Sequence, residues 1–248
     1  MTDRIAAEPG SGETRDAFFH GRIRIIQKKK GYRFSVDAVL LADFVEIRPG
    51  DVCLELGTGN GIVSLLLSIK PFGRVTGLEI QTDLAALARR NVLINGLEDR
   101  IEILSADLRD FRPPAGFDVV FSNPPYFRRR GGVLSPCPEK SIAKHEIACD
   151  ISDIMRKTRE CLKADGRAYF IYPDQRRKDF MQAVEYRGLA VRNIRDVLAR
   201  KDAPPKLFLA ACGPGVERPE ILPPLVLFGA DGKYTAEAEA VFSGRIAF

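Results

Sequence analysis

Four consecutive residues, Asn123-Pro124-Pro125-Tyr126, have the side chains and the rigidity needed to act together on a planar amine. They follow a short apolar run over residues 119–121 that is typical of a buried parallel strand. The two prolines must end that strand, because proline cannot continue a sheet ladder. The four residues therefore form a rigid loop at the carboxyl end of a strand, where open α/β sheets bind ligands.

The exocyclic amine of adenine is a poor nucleophile, because its lone pair is conjugated into the ring. The side-chain carbonyl of Asn123 and the backbone carbonyl of Pro124 could accept its N–H groups and favour a pyramidal nitrogen whose lone pair can attack. Tyr126 offers a face on which a planar base could stack. The alternative is a strand ended by prolines with an exposed tyrosine, and these four residues alone leave both interpretations open.

A glycine-rich turn follows the first predicted strand of the main sheet. The strand, residues 52–56, runs directly into Gly57-Thr58-Gly59-Asn60-Gly61 and then an apolar helix. The order of strand, glycine turn and helix is that of a ligand-binding loop, since glycines permit positive φ and a close approach to the backbone. Counted from Glu55, the spacing E-x-G-x-G-x-G resembles the adenosylmethionine loop of class I methyltransferases.

Two acids end the next strands. Glu79 closes the predicted strand 74–79, about 20 residues after the first glycine, where nucleotide-binding sheets hold ribose hydroxyls. Asp107 lies just past the strand 101–104, where it could recognise an adenine amino group. Each acid alone is more simply a surface carboxylate, but the loop and both acids at the ends of successive strands predict an adenosylmethionine site.

The alternation of strands and helices predicts an α/β fold, and the resemblance of the glycine loop implies that this fold is of the class I, Rossmann-like methyltransferase type. We expect a seven-stranded, mostly parallel sheet with helices on both faces and a small N-terminal hairpin. Residues 1–17 are expected to be a flexible tail, 18–50 a hairpin and helix packed on the core, and 51–248 the methyltransferase domain. The hairpin would pair residues 22–25 with 32–34, and Ser35 would cap a helix over 36–46. Residues 191–198 and 206–211 would form a closing antiparallel pair, and an extra strand and turn would follow residue 213.

Composition sets limits on partners and location. The 248 residues carry a net charge of +5, which favours a polyanionic partner such as RNA. There is no apolar run long enough for a bilayer and no apolar signal segment, so we expect a cytoplasmic protein without membrane contact. The five cysteines form no C-x-x-C pair and are expected to be reduced thiols with no bound metal. The oligomeric state is not predicted.

Two basic runs flank the predicted site. Lys28, Lys29 and Lys30 precede the site helix, and Arg128, Arg129 and Arg130 follow Tyr126. Both could contact phosphates near the pocket, although solvated charge runs remain the alternative. The second run belongs to a polar segment, residues 127–150, which we expect to cover the substrate. His145-Glu146 near its end could contact substrate or hold a structural hydrogen bond.

The chain resembles the bacterial valine-tRNA adenine-N6 methyltransferases from about residue 20 onward. The resemblance lies in Gly31-Tyr32-Arg33-Phe34-Ser35-Val36-Asp37 and the residues up to 42, in the glycine loop, in Asn123–Tyr126, in His145-Glu146, and in the end Asp231-Gly232-Lys233-Tyr234-Thr235. It implies methyl transfer from S-adenosyl-L-methionine to an adenine beside the anticodon of a tRNA. The cofactor-binding residues it implies are Phe34, Ser35, Asp37, Glu55, Gly57, Thr58, Gly59, Gly61, Glu79, Ile80, Asp107, Leu108 and Asn123. The catalytic residues it implies are Asn123, Pro124, Pro125 and Tyr126.

Other acceptors and roles remain open at this stage. The release-factor glutamine methyltransferases also use Asn-Pro-Pro-Tyr, but they carry an added N-terminal helical domain, and only about 50 residues precede the first strand here. DNA adenine methyltransferases generally add a target-recognition domain, for which no segment is long enough. An amine of ribosomal RNA is a further possible acceptor. A non-catalytic RNA-binding protein is the alternative from another class.

Overall fold

The computed structural model describes residues 8–30, 33, 35–124, 149–215 and 218–244. These residues form an N-terminal hairpin, a large sheet, six α-helices and one short 3-10 helix, Asp174–Arg176. The strands are β1 (Glu13–Phe18), β2 (Ile23–Lys28), β3 (Val52–Leu56), β4 (Arg74–Glu79), β5 (Ile101–Ser105), β6 (Phe117–Ser122), β7 (Leu162–Pro173), β8 (Leu189–Leu198), β9 (Leu207–Pro214) and β10 (Glu220–Val226). The helices are α1 (Val36–Phe44), α2 (Ile62–Leu67), α3 (Thr82–Ile94), α4 (Ile151–Cys161), α5 (Arg177–Tyr186) and α6 (Ala236–Ser243).

The main sheet has eight strands in the order β5-β4-β3-β6-β7-β9-β8-β10. Only β9 runs against its neighbours; the other seven strands are parallel to one another. The α/β fold class is thus confirmed, and the antiparallel pairing of β8 with β9 agrees with the predicted closing pair. The sheet has one strand more than the seven predicted, because the segment after residue 213 pairs with β8 as β10.

The sheet is covered on both faces by separate apolar clusters. Neighbouring residues of β3 point to opposite faces, so that Cys53 belongs to one cluster and Leu54 to the other. The first cluster includes side chains of the hairpin, α1, α2, α3 and α6, and the second those of α4 and α5. Burial on both faces explains why the central strands are nearly continuous apolar runs in the sequence.

The N-terminal hairpin differs from the prediction. Residues 22–25 do lie in or next to a strand, but β2 pairs with the preceding β1, with Glu13 opposite Lys28 and Phe18 opposite Ile23. The predicted return strand over 32–34 is wrong at Arg33, which is outside any strand; Tyr32 and Phe34 lie outside the described residues. The sequence of β1 is mostly polar and its residues are at most half-buried, so it shows none of the apolar alternation that identifies β2.

The start of β1 and the end of α1 also differ from the prediction. β1 begins at Glu13, inside the stretch expected to be a flexible tail over residues 1–17. Helix α1 begins after Ser35 as predicted, with Ser35 in extended backbone, but its side chain makes no capping hydrogen bond, and the helix ends at Phe44 rather than at Glu46. The division of the chain at residues 17 and 50 remains a prediction.

Three further observations concern ligands and membranes. None of the helices in the described ranges is both long and apolar enough to cross a bilayer. Within those ranges no three His, Cys, Asp or Glu side chains are grouped as metal ligands. Cys53, Cys149, Cys161 and Cys212 are free thiols, and Cys137 lies outside the described residues.

Candidate active site

The predicted site residues meet at one edge of the sheet. β5, β4, β3 and β6 are adjacent and parallel, so their carboxyl ends lie side by side. Glu55 is in register with Phe121 on one side and with Gly77 on the other, and Glu79 is in register with Ser105. The glycine loop, Glu79, Asp107 and Asn123 therefore lie at or just after the carboxyl ends of four adjacent strands.

The glycine loop owes its shape to three left-handed residues. Gly57, Gly59 and Gly61 have φ of 74°, 58° and 85°, a region that other residues seldom adopt. The amides of Gly57 and Thr58 both donate to the carbonyl of Leu78, at 3.0 and 2.9 Å, which fixes the loop to the end of β4. A Cβ added to Gly57 would meet no atom within 4 Å, so the space beside this turn is open to a ligand.

Gly77, in the middle of β4, is a site residue that the sequence analysis missed. A Cβ added there would lie 2.9 Å from Cδ1 of Ile103 and 3.1 Å from the side chain of Thr58. Because Gly77 has no side chain, Thr58 of the glycine loop can pack directly on the strand. A glycine inside an otherwise apolar strand was the available signal, since it marks a close approach by another part of the chain.

Glu55 lies beneath the loop. Its carboxylate is buried and accepts hydrogen bonds from the hydroxyls of Thr58, at 2.6 Å, and Ser64. Burial, with a smaller contribution from the nearby charge of Glu79, raises the pKa of Glu55 to about 7 against the opposing effect of both hydroxyls. The hydrogen bonds show that Glu55 supports the loop and the start of α2 from inside; its contact with a cofactor remains a prediction.

Glu79 is fixed by main-chain amides. One carboxylate oxygen accepts from Gly59 N at 2.9 Å and the other from Gln81 N at 2.8 Å. Burial raises its pKa, while the amides of Gln81, Gly59 and Ile80 lower it. The side chain thus joins the end of β4 to the glycine loop in a fixed orientation, which suits a ribose clamp because no reorientation is needed on binding.

Asp107 has a partner that the sequence analysis did not consider. Its carboxylate accepts from Arg109 through the backbone amide at 2.9 Å and through Nε at 2.9 and 3.0 Å. The Arg109 guanidinium holds the pKa of Asp107 below its usual value. Leu108, between them, is buried. Recognition of an adenine amine by Asp107 is still a prediction. The amine would have to bind a carboxylate that already accepts hydrogen bonds from Arg109.

Asn123 and Pro124 follow directly from a buried anchor. Ser122, the last residue of β6, is fully buried and donates its hydroxyl hydrogen to the carbonyl of Leu56 at 2.6 Å. Leu56 is the residue before the glycine loop. This bond therefore fixes the start of the loop that begins at Asn123 relative to the glycine loop. Asn123 is half-buried and Pro124 buried, whereas Pro125 and Tyr126 lie outside the described residues.

Of the remaining predicted residues, the structure describes only some, which belong to the N-terminal part of the chain. Ser35 is exposed and Asp37 half-buried at the start of α1; Phe34 lies outside the described residues. Lys28 lies 3.9 Å from Asp83, in the first turn of α3, and Lys29 donates to the carbonyl of Ser11 at 3.0 Å. Lys30 is exposed, while Arg128, Arg129, Arg130 and His145-Glu146 fall outside the described residues.

These residues fit S-adenosyl-L-methionine. The open space beside Gly57 and the fixed carboxylate of Glu79 could take a ligand with a polar amino-acid end and a ribose. Asn60, between two of the glycines, is fully buried, and neither polar atom of its side chain has a partner within the described residues. A buried amide is costly to leave without partners, which is consistent with a polar ligand at this loop.

Comparison with known proteins agrees with this fold and site. A family model described as a methyltransferase domain matches residues 53–136. A tRNA1(Val) (adenine(37)-N6)-methyltransferase of Porphyromonas gingivalis is 30% identical over 236 residues, covering 90% of this chain and 91% of the relative. The protein of the same description from Shewanella amazonensis is 29% identical over 187 residues, covering 75% and 79% of the two chains.

Among solved structures, a predicted O-methyltransferase from Agrobacterium tumefaciens superposes with a TM-score of 0.67 at 22% identity, covering 86% of this chain and 98% of the other. At this identity the likeness supports the fold alone, which is that of the class I methyltransferases. The relative from Porphyromonas gingivalis is aligned over nearly its whole length and shows more than the fold. The chain belongs to the family of tRNA1(Val) (adenine(37)-N6)-methyltransferases.

Proposed function

We propose that this protein transfers a methyl group from S-adenosyl-L-methionine to N6 of an adenine in tRNA, at position 37 of tRNA1(Val). The relatives named for this reaction support the choice of acceptor. The observation that carries the chemistry is the position of Asn123 and Pro124 at the end of β6, which Ser122 ties to the residue before the glycine loop.

The cofactor would supply a methyl group bound to a positively charged sulfur. Attack of the nitrogen lone pair on the methyl carbon would form the N–C bond and break the S–C bond, leaving a neutral thioether, and the methylated nitrogen would then lose one proton to solvent. In this proposal the residues Gly57, Thr58, Gly59 and Gly61 line its methionine and ribose. Glu79 accepts the ribose hydroxyls, and Asp107 faces the cofactor's adenine. Ile80 and Leu108 supply apolar surface beside the base.

Asn123 and Pro124 hold the target amine. Their carbonyl oxygens accept hydrogen bonds from the two N–H groups of the amine, which favours a pyramidal nitrogen whose lone pair is directed at the methyl group. Proline fixes φ, so the backbone carbonyl of Pro124 is held in place. We assign stacking on the base to Tyr126, and closure over the cofactor to Phe34, Ser35 and Asp37, as the family resemblance implies.

The substrate base must leave its stack to reach this pocket. For a base in a tRNA loop the cost is a few kcal/mol at most. Lys28–Lys30 and Arg128–Arg130 are assigned to phosphates around the base, and the net charge of +5 favours the approach of a polyanion. Since the proposed partner is tRNA, the proposal includes a cytoplasmic location.

The first test is the substitution Asn123→Ala. It should leave adenosylmethionine affinity within about twofold of the wild type and lower kcat by a factor on the order of 100 or more, because the target amine loses an acceptor that acts mainly in the transition state. Calorimetry gives the affinity, and transfer of labelled methyl to unmodified tRNA gives kcat. Asn123→Asp is the matched control, since it keeps an acceptor at the same place and should retain part of the turnover. Wild-type turnover in Asn123→Ala would contradict the mechanism.

The acceptor itself is tested with unmodified total tRNA from a strain lacking the gene. Incubation with labelled cofactor, nuclease digestion and mass spectrometry should identify N6-methyladenosine in the anticodon loop of tRNA1(Val). Label on a ribosomal RNA or on a release-factor glutamine instead would overturn the assignment of tRNA. Cofactor binding without methyl transfer to any of these acceptors would favour a non-catalytic RNA-binding role.

A further inference from the structure

Asn91 of α3 and Asn95, the residue directly after α3, bind the main chain of β2. Asn91 accepts from Ile26 N at 2.7 Å and donates to Ile26 O at 3.0 Å. Asn95 accepts from Arg24 N at 2.9 Å and donates to Arg24 O at 2.7 Å. Four residues of helix rise about 6 Å and two residues of strand about 6.7 Å, so the two amides match alternate residues of β2. They satisfy one edge of β2 much as another strand would, while β1 pairs with the other edge.

Asn91 alone extends this contact to the cofactor loop. Its amide group donates a second hydrogen bond to the carbonyl of Asn60 at 2.9 Å. Asn91 is 0% exposed, and both its donor positions and its carbonyl oxygen are used. A single buried side chain therefore bridges the N-terminal hairpin and the glycine loop.

The position of Asn60 gives this bridge its significance. Asn60 lies between Gly59, whose amide binds Glu79, and Gly61, which precedes α2. Gly59 and Gly61 are both in the left-handed region, where a small rotation of one peptide turns the next N–H. A hydrogen bond on the carbonyl of Asn60 limits that rotation and so fixes the orientation of the loop amides.

We infer that Asn91 is a positioning residue for the cofactor loop, and that the N-terminal hairpin is thereby part of the frame of the cofactor site. The inference rests on the proposed use of the loop to bind adenosylmethionine. Other contacts hold the hairpin independently: Arg90 pairs with Glu13 at 2.8 Å, and Asn95 binds Arg24. Loss of Asn91 thus leaves the hairpin attached and removes its link to the loop.

The matched pair Asn91→Ala and Asn95→Ala separates the two roles. Both remove hydrogen bonds to β2, and both should lower Tm. Only Asn91→Ala should weaken the binding of adenosylmethionine, raising the calorimetric Kd by about tenfold. Its kcat at saturating cofactor and its KM for tRNA should stay near the wild-type values. Asn95→Ala should bind the cofactor within about twofold of the wild type. Equal weakening in both variants, or wild-type affinity in Asn91→Ala, would overturn the inference.

Amide hydrogen exchange on the wild-type protein gives a test that needs no variant to fold. Saturating adenosylmethionine should slow exchange of the Ile26 amide, which is bound to Asn91, by several-fold more than that of the Arg24 amide, which is bound to Asn95. Equal changes at both amides would contradict the bridge. A wild-type protein that binds no adenosylmethionine refutes the proposed function itself, whereas cofactor binding with no effect at Ile26 refutes this inference alone.

Discussion

Glu55 shows how one side chain can make the site sensitive to pH. It lies among apolar strands, receives two hydroxyl hydrogen bonds and faces the charge of Glu79. Burial disfavours its charged form, and the hydroxyls of Thr58 and Ser64 recover only part of that cost. The carboxyl that supports the loop therefore changes charge near neutral pH.

We predict that Glu55 makes the protein less stable as pH rises through neutrality. Its pKa is raised from 4.5 to about 7 on folding, so its stabilising contribution is complete below pH 4.5 and is lost as pH rises to about 7. The loss amounts to about 3 kcal/mol. Thermal unfolding without cofactor should show wild-type Tm falling between pH 5 and 8 relative to Glu55→Gln, which keeps an acceptor but has no proton to lose. Parallel Tm curves would show that Glu55 does not titrate in this range.

Glu79 is the residue whose loss should affect the cofactor most directly. Glu79→Gln keeps the size of the side chain but removes the negative charge that would accept hydrogen bonds from two amides and from the ribose. The affinity for adenosylmethionine should therefore fall by roughly 10- to 100-fold. Calorimetry measures this, with Glu102→Gln on exposed β5 surface as the control. Unchanged affinity in Glu79→Gln would argue against its ribose role.

At the scale of elements, β3 and β6 are joined beyond their ladder. The ladder pairs Glu55 with Phe121, and the hydroxyl of Ser122 then reaches Leu56, so the two loops that follow start from one fixed point. Catalysis depends on the distance between groups carried by these loops, and misplacement by about 1 Å can cost 100-fold in rate. The bond of Ser122 therefore bears on rate more than on cofactor affinity.

The substitution Ser122→Ala tests this. It leaves the buried carbonyl of Leu56 without its donor and should lower kcat about tenfold, while calorimetric affinity for adenosylmethionine stays within about threefold. Ser243→Ala is the control, since that hydroxyl also donates to a carbonyl but lies at the end of α6. A tenfold loss of cofactor affinity with unchanged kcat would place the effect of Ser122 in the glycine loop instead.

The elements also show what sequence can and cannot predict. β3, β4 and β6 were predictable because burial on both faces makes them apolar runs ended by glycine, acid or proline. Strand β1 was not predictable, because its polar sequence lacks the apolar alternation of a strand and does not indicate the pairing with β2. The hydrogen bonds of Asn91 join positions 65 and 31 residues away, and no local pattern specifies such contacts. The pairing of Asp107 with Arg109 was within reach, since the two residues are neighbours in sequence.

At the scale of the whole molecule, the end of the hairpin and the cofactor site share one edge. Lys28 lies near Asp83 at the start of α3, and α3 follows the carboxyl end of β4, so Lys29 and Lys30 come after β2 on the same side as Asn123. Lys163 marks the opposite end, because β7 starts there beside the start of β6. The chain thus presents its first basic run on the side where substrate chemistry is proposed.

We predict that Lys30 contributes to the salt dependence of tRNA binding. KM for tRNA should rise with salt concentration, and Lys30→Ala should reduce the slope of log KM against log salt by about 1, because one phosphate contact is lost. Steady-state kinetics at several salt concentrations measures the slope. Lys163→Ala, at the far end of the sheet, should leave it unchanged. Equal slopes in wild type and Lys30→Ala would remove Lys30 from the RNA contact.

The last strand limits how far the sheet can grow. β10 forms an outer edge of the main sheet, and its register shifts between Leu222 and Leu225, where Pro223 and Pro224 lie. Proline offers no N–H, and an irregular edge cannot align a further strand. A neighbouring chain that approached this edge would find no N–H donor at Pro223 or Pro224. At this side of the sheet, strand-to-strand aggregation with another copy of the chain is therefore disfavoured.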